Sequence, residues 1–209
     1  MSVPLLLKKL RLDGKEFVKN DELKRYCEAM DVDYTATVRY LTTQGHLIRV
    51  FRGIFYLKSL EEEELGKSRY THLELVAKGL ELKGVENWYY GLYSALKLNN
   101  MTHEHFSVDY VISDTMFRAK PINIAGYRFR FMKLAPRLFG FGIKTDGVRY
   151  SDPEKTVLDF VYIWRYNGVP REKILLDIEE WMSVASLERL HTYLDHYPKT
   201  VRGIVEATG

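Results

Sequence analysis

Residues 17–58 constrain the fold more than any other stretch. Leu23, Tyr26, Cys27 and Met30 fall at i, i+3, i+4 and i+7, which makes one apolar stripe of a helix. Asn20 precedes the stripe as an N-cap residue type. Asp31 to Asp33 form a turn, and Asp33 is placed to cap a second helix in which Tyr34, Thr37, Val38 and Leu41 share a face. Gly45 suits the left-handed residue that ends such a helix. Leu47 to Val50 and Ile54 to Leu57 then read as two strands joined by a tight turn at Arg52-Gly53. The order strand, helix, turn, helix, hairpin is that of a winged helix-turn-helix, whose use is to lay its second helix in a DNA major groove.

The outer face of that second helix carries Thr35, Ala36, Arg39, Tyr40 and Thr43. Arg39 suits a guanine edge or a phosphate, Ala36 permits close approach to bases, and the threonines suit phosphate oxygens. Arg49 and Arg52 fall on or near the hairpin turn, where a wing meets the DNA backbone. Charge follows the same division. Residues 1–59 hold 11 Lys+Arg against 7 Asp+Glu, a balance of +4, whereas the rest of the chain holds 20 against 21. The excess of positive charge therefore sits with the helix-turn-helix pattern. The same fold also serves as a protein-docking adaptor, so double-stranded DNA and a protein are both partners to weigh.

Residues 3–12 read as an opening helix with Leu6, Leu7 and Leu10 inward. The run 59–70, with Glu61 to Glu64, Gly66 and Ser68, reads as a solvated linker (60–70) between a domain of residues 1–59 and a larger one of 71–209. In the second domain Leu73, Val76, Ala77 and Leu80 make a helix ended by Lys83-Gly84, and Trp88, Leu92, Ala95 and Leu96 a second. Between 106 and 150 the period changes to alternation. Val108, Tyr110 and Ile112 suggest a strand, as do Ile122 to Ile124, Tyr127 to Met132 and Val148 to Tyr150. They predict a small, mostly antiparallel sheet. Asp152-Pro153 starts a helix lined by Val157, Phe160, Val161 and Trp164, and further helices follow with Pro198 as a break. The fold class expected is α+β: a winged helix-turn-helix, then a larger mixed α/β domain with a small antiparallel sheet and a helical C-terminal part.

No catalytic constellation emerges. GxSxG, HExxH, P-loop and GxGxxG patterns are absent, and the carboxylates are scattered. His103-x-His105 lacks accompanying ligands at metal-site spacing, and His191 falls on an apolar helix stripe as a core histidine. No enzyme activity, cofactor or metal is expected. Cys27 is the single cysteine and reads as a core thiol in a reducing compartment. No apolar run reaches the length of a membrane span, so the expectation is a cytoplasmic protein. In the second domain Arg128 and Arg130 alternate with Phe129 and Phe131. With Lys133, Arg137 and Lys155 they make a candidate anion-binding surface. Lys155 is the one residue of Asp152-Pro153-Glu154-Lys155-Thr156 that helix capping leaves unexplained, since a cation opposes the helix dipole in a first turn.

The succession RYLTTQGHLIRVFRGIFYL, YYGLYSALKL and YSDPEKTVLDFVY resembles the AbiEi-type antitoxin and transcriptional regulator family over nearly the whole chain. The resemblance implies a repressor that binds inverted repeats in its own promoter through the N-terminal domain. It further implies the antitoxin of a type IV toxin–antitoxin system, whose C-terminal domain counteracts a nucleotidyltransferase-like toxin, or that toxin's RNA or nucleotide substrate, without a stable complex. The alternative is a solitary regulator or adaptor with no toxin.

Overall fold

The computed structural model describes residues 2–207 as a mixed α+β protein with two sheets. Contacts divide the chain into two units. The first runs up to Gly84 and includes Asn123–Gly126, and the second comprises Val85–Ile122 and the described residues from Tyr127 on.

The first unit opens with α1 (Val3–Leu12), which buries Leu6, Leu7 and Leu10, followed by β1 (Phe17–Lys19). Next come α2 (Asn20–Ala29) and α3 (Tyr34–Thr43), then β2 (Leu47–Phe51) and β3 (Ile54–Leu57). The three strands form an antiparallel sheet in the order β1-β3-β2. The apolar stripes meet as the periodicity requires: Leu23, Cys27 and Met30 of the α2 segment join Val38 and Leu41 of α3 and Leu47, Phe55 and Leu57 of the hairpin in one core. Burial pushes the Cys27 thiol up, as for any thiol in apolar surroundings. Asn20 is not the cap of α2. It is the first helical residue, and its side-chain oxygen accepts a hydrogen bond from the Tyr34 hydroxyl. At the Arg52-Gly53 turn Gly53 takes a φ of 77°, and its carbonyl accepts from the Asn20 N–H at 2.8 Å.

The linker expected at 60–70 is instead built into this unit. Residues Leu60–Leu65 form α4 with a Ser59/Glu62 capping box. Glu62 is buried and accepts from the Tyr56 hydroxyl at 2.6 Å and from the Arg69 N–H at 2.6 Å. Glu63 pairs with Arg11 and with His46. An acidic run reads as solvated from sequence because its partners, at positions 11, 46 and 56, are remote in the chain. The boundary expected at 59–71 accordingly falls later, at Gly84. The helix α5 (His72–Leu82) lies against β2: a Cβ on Gly79 would stand 2.6 Å from Val50 Cγ1 and 2.8 Å from the Phe51 ring. The missing side chain allows that approach.

The second unit begins with β4 (Trp88–Tyr90) and α6 (Leu92–Leu98). The stretch expected as one helix from Trp88 is therefore a strand and then a helix. Three consecutive buried aromatics fit a strand covered on both faces, which periodicity alone does not separate from a helix. In chain order there follow β5 (Val108–Ser113), β6 (Ile122–Ile124, of which only Ile122 is counted with this unit), β7 (Tyr127–Lys133), β8 (Ile143–Asp146) and β9 (Val148–Ser151). The sheet order is β6-β7-β5-β4-β9-β8. It is mixed, not mostly antiparallel: β5 pairs with β7 in parallel, as does β4 with β9, while β4–β5 and β8–β9 are antiparallel. Parallel neighbours are joined by crossovers, which leave no turn signature next to the strands they pair.

Four helices complete the unit: α7 (Pro153–Tyr166), α8 (Arg171–Met182), α9 (Leu187–Leu194) and α10 (Lys199–Val205). With α6 they cover one face of the sheet, around Tyr89, Ile112, Val157, Val161, Ile178 and Leu194. His191 is exposed rather than in that core, because its neighbours on α9 turn Leu190 and Leu194 inward instead. Among the described residues, no helix is long and apolar enough to cross a membrane.

Candidate nucleic-acid interface

Asp33 caps α3, accepting from the Ala36 N–H at 2.6 Å, so its charge is engaged with the helix N-terminus. Thr37, Val38 and Leu41 point inward and are buried. Thr35, Ala36, Arg39, Tyr40 and Thr43 are all exposed, on the face the 3.6-residue period assigns to them. A shallow concavity runs along this face, lined by Ala36, Arg39, Tyr40 and Thr43, and a second lies between α3 and β2, lined by Val38, Arg39, Thr42, Ile48 and Arg49.

The hairpin supplies the flank. Arg49 is exposed on β2, and its guanidinium lies 5.4 Å from the ring of Phe55, its cross-strand partner. The ring thus limits where the cation can swing. Arg52 is exposed at the turn. Arg39, Arg49 and Arg52 form no ion pair among the described residues, whereas Lys9, Arg11, Lys15 and Arg69 of the same unit each face a carboxylate. Two contributors escaped the sequence reading. His46 sets its ring 6.4 Å from that of Tyr40, and Phe55 steers Arg49. The second has no signal in the sequence: a two-residue turn alone would set Arg49 opposite Tyr56, and a bulge between Arg49 and Phe51 moves it to Phe55.

The five cations of the candidate anion-binding surface do not gather. Arg128 and Arg130 are exposed and flank the fully buried Phe129, as alternation requires. Lys133 is exposed at the end of β7, and alternation puts it on the side of Phe129 and Phe131. Arg137 lies beyond the strand and donates from Nε to the His196 carbonyl at 3.2 Å. Lys155 is not at the surface at all, with 0% of its side chain exposed.

Lys155 instead centres a buried polar cluster. Its Nζ lies 3.5 Å from Asp159 Oδ1 and 3.3 Å from the Tyr197 hydroxyl, and 4.8 and 4.5 Å from the ring centres of Tyr89 and Phe141. Asp159 also accepts from the hydroxyls of Tyr197 at 2.6 Å and Tyr89 at 2.7 Å. Burial lowers the Lys155 pKa, and the Asp159 carboxylate opposes that shift. Burial raises the pKa of Asp152, which caps α7 and accepts from Tyr193 at 2.9 Å. Tyr193 is itself pushed up to about 12 by burial and by that bond. Glu154 reaches across to the start of α9, accepting from the Ser186 N–H at 2.7 Å and pairing with Arg189 at 3.0 Å. The stretch Asp152–Thr156 thus ties α7 to α9 and to Tyr197, and Lys155 is a fold-organising cation rather than a surface group.

The fold is shared with a solved protein. The crystal structure of RV2827C protein from Mycobacterium tuberculosis superposes with a TM-score of 0.60 at 13% identity, over 98% of this chain and 76% of that one. At that identity the likeness is one of fold. No protein-family model and no curated protein matches the chain. His103 and His105 are both exposed in the segment preceding β5. Among the described residues, no group of three or more His, Cys, Asp or Glu is arranged to hold a metal ion.

Proposed function

We propose that the first unit is a winged helix-turn-helix and that the protein is a DNA-binding transcriptional repressor, with α3 as its recognition helix. The observation that carries this reading is the set of arginines without ion pairs, Arg39, Arg49 and Arg52, around an exposed helix face of small and hydroxyl side chains. Arg39 and Ala36 would face base edges, while Thr35, Thr43, Arg49 and Arg52 would meet phosphates. The double-stranded partner is an inverted repeat in the protein's own promoter. The resemblance to AbiEi-type regulators extends the proposal to the second unit, which would counteract a nucleotidyltransferase-like toxin without forming a stable complex.

The test is a titration of the protein against its own promoter duplex and a scrambled one over a range of salt. Contacts to about 6–10 phosphates would lower affinity ~10³-fold or more between 50 and 200 mM salt. Arg52→Ala should weaken both duplexes alike, whereas Arg39→Ala should reduce the preference for the promoter. A titration indifferent to salt would sink the DNA reading and favour a protein-docking adaptor.

A further inference from the structure

The second unit presents a face on which arginines and tyrosines stand side by side. In the parallel β5–β7 ladder Tyr110 is in register with Arg130, and Val108 with Arg128, so these side chains share one side of the sheet. Tyr110 is half-buried. Its ring centre lies 5.4 Å from that of Tyr93 on α6, and Tyr93 is 4.7 Å from Phe106 and rests edge-on against Phe160 at 4.9 Å. The aromatic row is thus anchored in the core at one end and reaches solvent at the other. Arg128 and Arg130 are exposed and stand two residues apart on one strand, and their side chains make no hydrogen bond or ion pair among the described residues. Acids do occur nearby. Glu104 and Asp177 act on Tyr93, but Asp177 is paired with Lys173 at 2.8 Å.

Packing accounts for Tyr93 and Phe160. It does not account for two like charges on one strand face, which repel each other and meet no carboxylate among the described residues. An anion would relieve that repulsion. The rings narrow its class, because the accessible edge of half-buried Tyr110 next to guanidinium groups offers an unstacked base a surface and its phosphate a partner. A duplex hides its base faces and would meet only the cations.

We propose that this face binds a single-stranded polynucleotide, with a base against Tyr110 and adjoining phosphates on Arg128 and Arg130. The proposal deepens the reading of the second unit and is independent of operator binding through α3. The test uses the full chain and fluorescence anisotropy with labelled twelve-nucleotide oligo-U, oligo-A, oligo-dT and a duplex of mixed sequence. Tyr110→Leu, which keeps an apolar side chain and removes the ring, should lower single-strand affinity about 5- to 100-fold. Arg128→Ala/Arg130→Ala, at exposed positions where folding is not at issue, should lower it too and reduce the slope of log affinity against log salt by about 1.4. Arg39→Ala should leave single-strand binding unchanged, so a failure of the operator reading and a failure of this one are told apart. Preference for oligo-U and oligo-A over oligo-dT assigns the face to RNA, and the reverse to DNA. No binding of any single strand, or a folded Tyr110→Leu with undiminished affinity, overturns the proposal.

Discussion

Asp33 and Asp152 perform the same local task. Each caps a helix by accepting from the backbone N–H three residues on, at 2.6 Å from Ala36 and 2.8 Å from Lys155. Each helix carries a basic residue, Arg39 midway along α3 and Lys155 in the first turn of α7. Their fates are opposite. Arg39 faces solvent, while Lys155 is enclosed by Tyr89, Phe141, Asp159 and Tyr197. The difference is one of neighbours. One face of α3 packs on α2 and β2, and the rest of its surface is left to solvent. In contrast α6, α8, α9, α10 and β9 all pack on α7. A cation in a capped helix is thus left to solvent or drawn into the core according to what the distant chain brings to it.

The largest effect that would break this comparison is on stability. Lys155→Ala should cost about 3–5 kcal/mol, because it leaves the buried Asp159 without its ion-pair partner. Arg39→Ala should cost less than about 0.5 kcal/mol. Urea melts followed by tryptophan fluorescence measure the first directly, since Trp88, Trp164 and Trp181 all belong to the second unit. Equal, small effects of the two substitutions would dissolve the distinction drawn here.

On binding the order reverses. Arg39→Ala should weaken promoter binding by about 1–3 kcal/mol. Lys155→Met, examined at a temperature where it remains folded, should leave it within a factor of about two. A smaller effect is expected from the exposed cap: Asp33→Ala should lower the stability of the first unit by about 1 kcal/mol, read by amide exchange of α3.

The smallest effect sharpens the comparison through pH. Burial pushes the Glu62 carboxyl up, but bonds from the Arg69 N–H, the Tyr56 hydroxyl and the Ser59 N–H outweigh it and hold its pKa below the usual 4.5. Its contribution is therefore present above pH 4.5 and lost as pH falls through the depressed value. Burial raises Asp152 above 3.8 against the bonds from Lys155 and Tyr193. That group stabilises the fold below pH 3.8, and the contribution is lost as pH rises through the raised value. Acid should loosen the first unit more steeply than the second. Amide exchange of α4 and β3 between pH 6 and 3 should show that limb in the native protein and a flatter one in Glu62→Gln.

What the sequence alone determined was local. The stripe of α2, the inner and outer faces of α3, the Asp33 and Asp152 caps and the Arg52-Gly53 turn each depend on residues within two helical turns of one another. Hydrogen-bond periodicity and side-chain chemistry encode such features directly. For the same reason the exposed set from Thr35 to Thr43 was legible, although its ligand was not. The tertiary structure decided whatever depends on a remote partner. It paired β5 with β7 in parallel, drew the acidic run into the first unit through Arg11, His46 and Tyr56, and separated Lys133 and Arg137 from Arg128 and Arg130. It also placed Lys155 in the core by bringing positions 89, 141 and 197 to one point. A buried ion pair is tolerated only where hydrogen bonds from elsewhere in the chain complete it, and no pattern within one helix specifies where those donors come from.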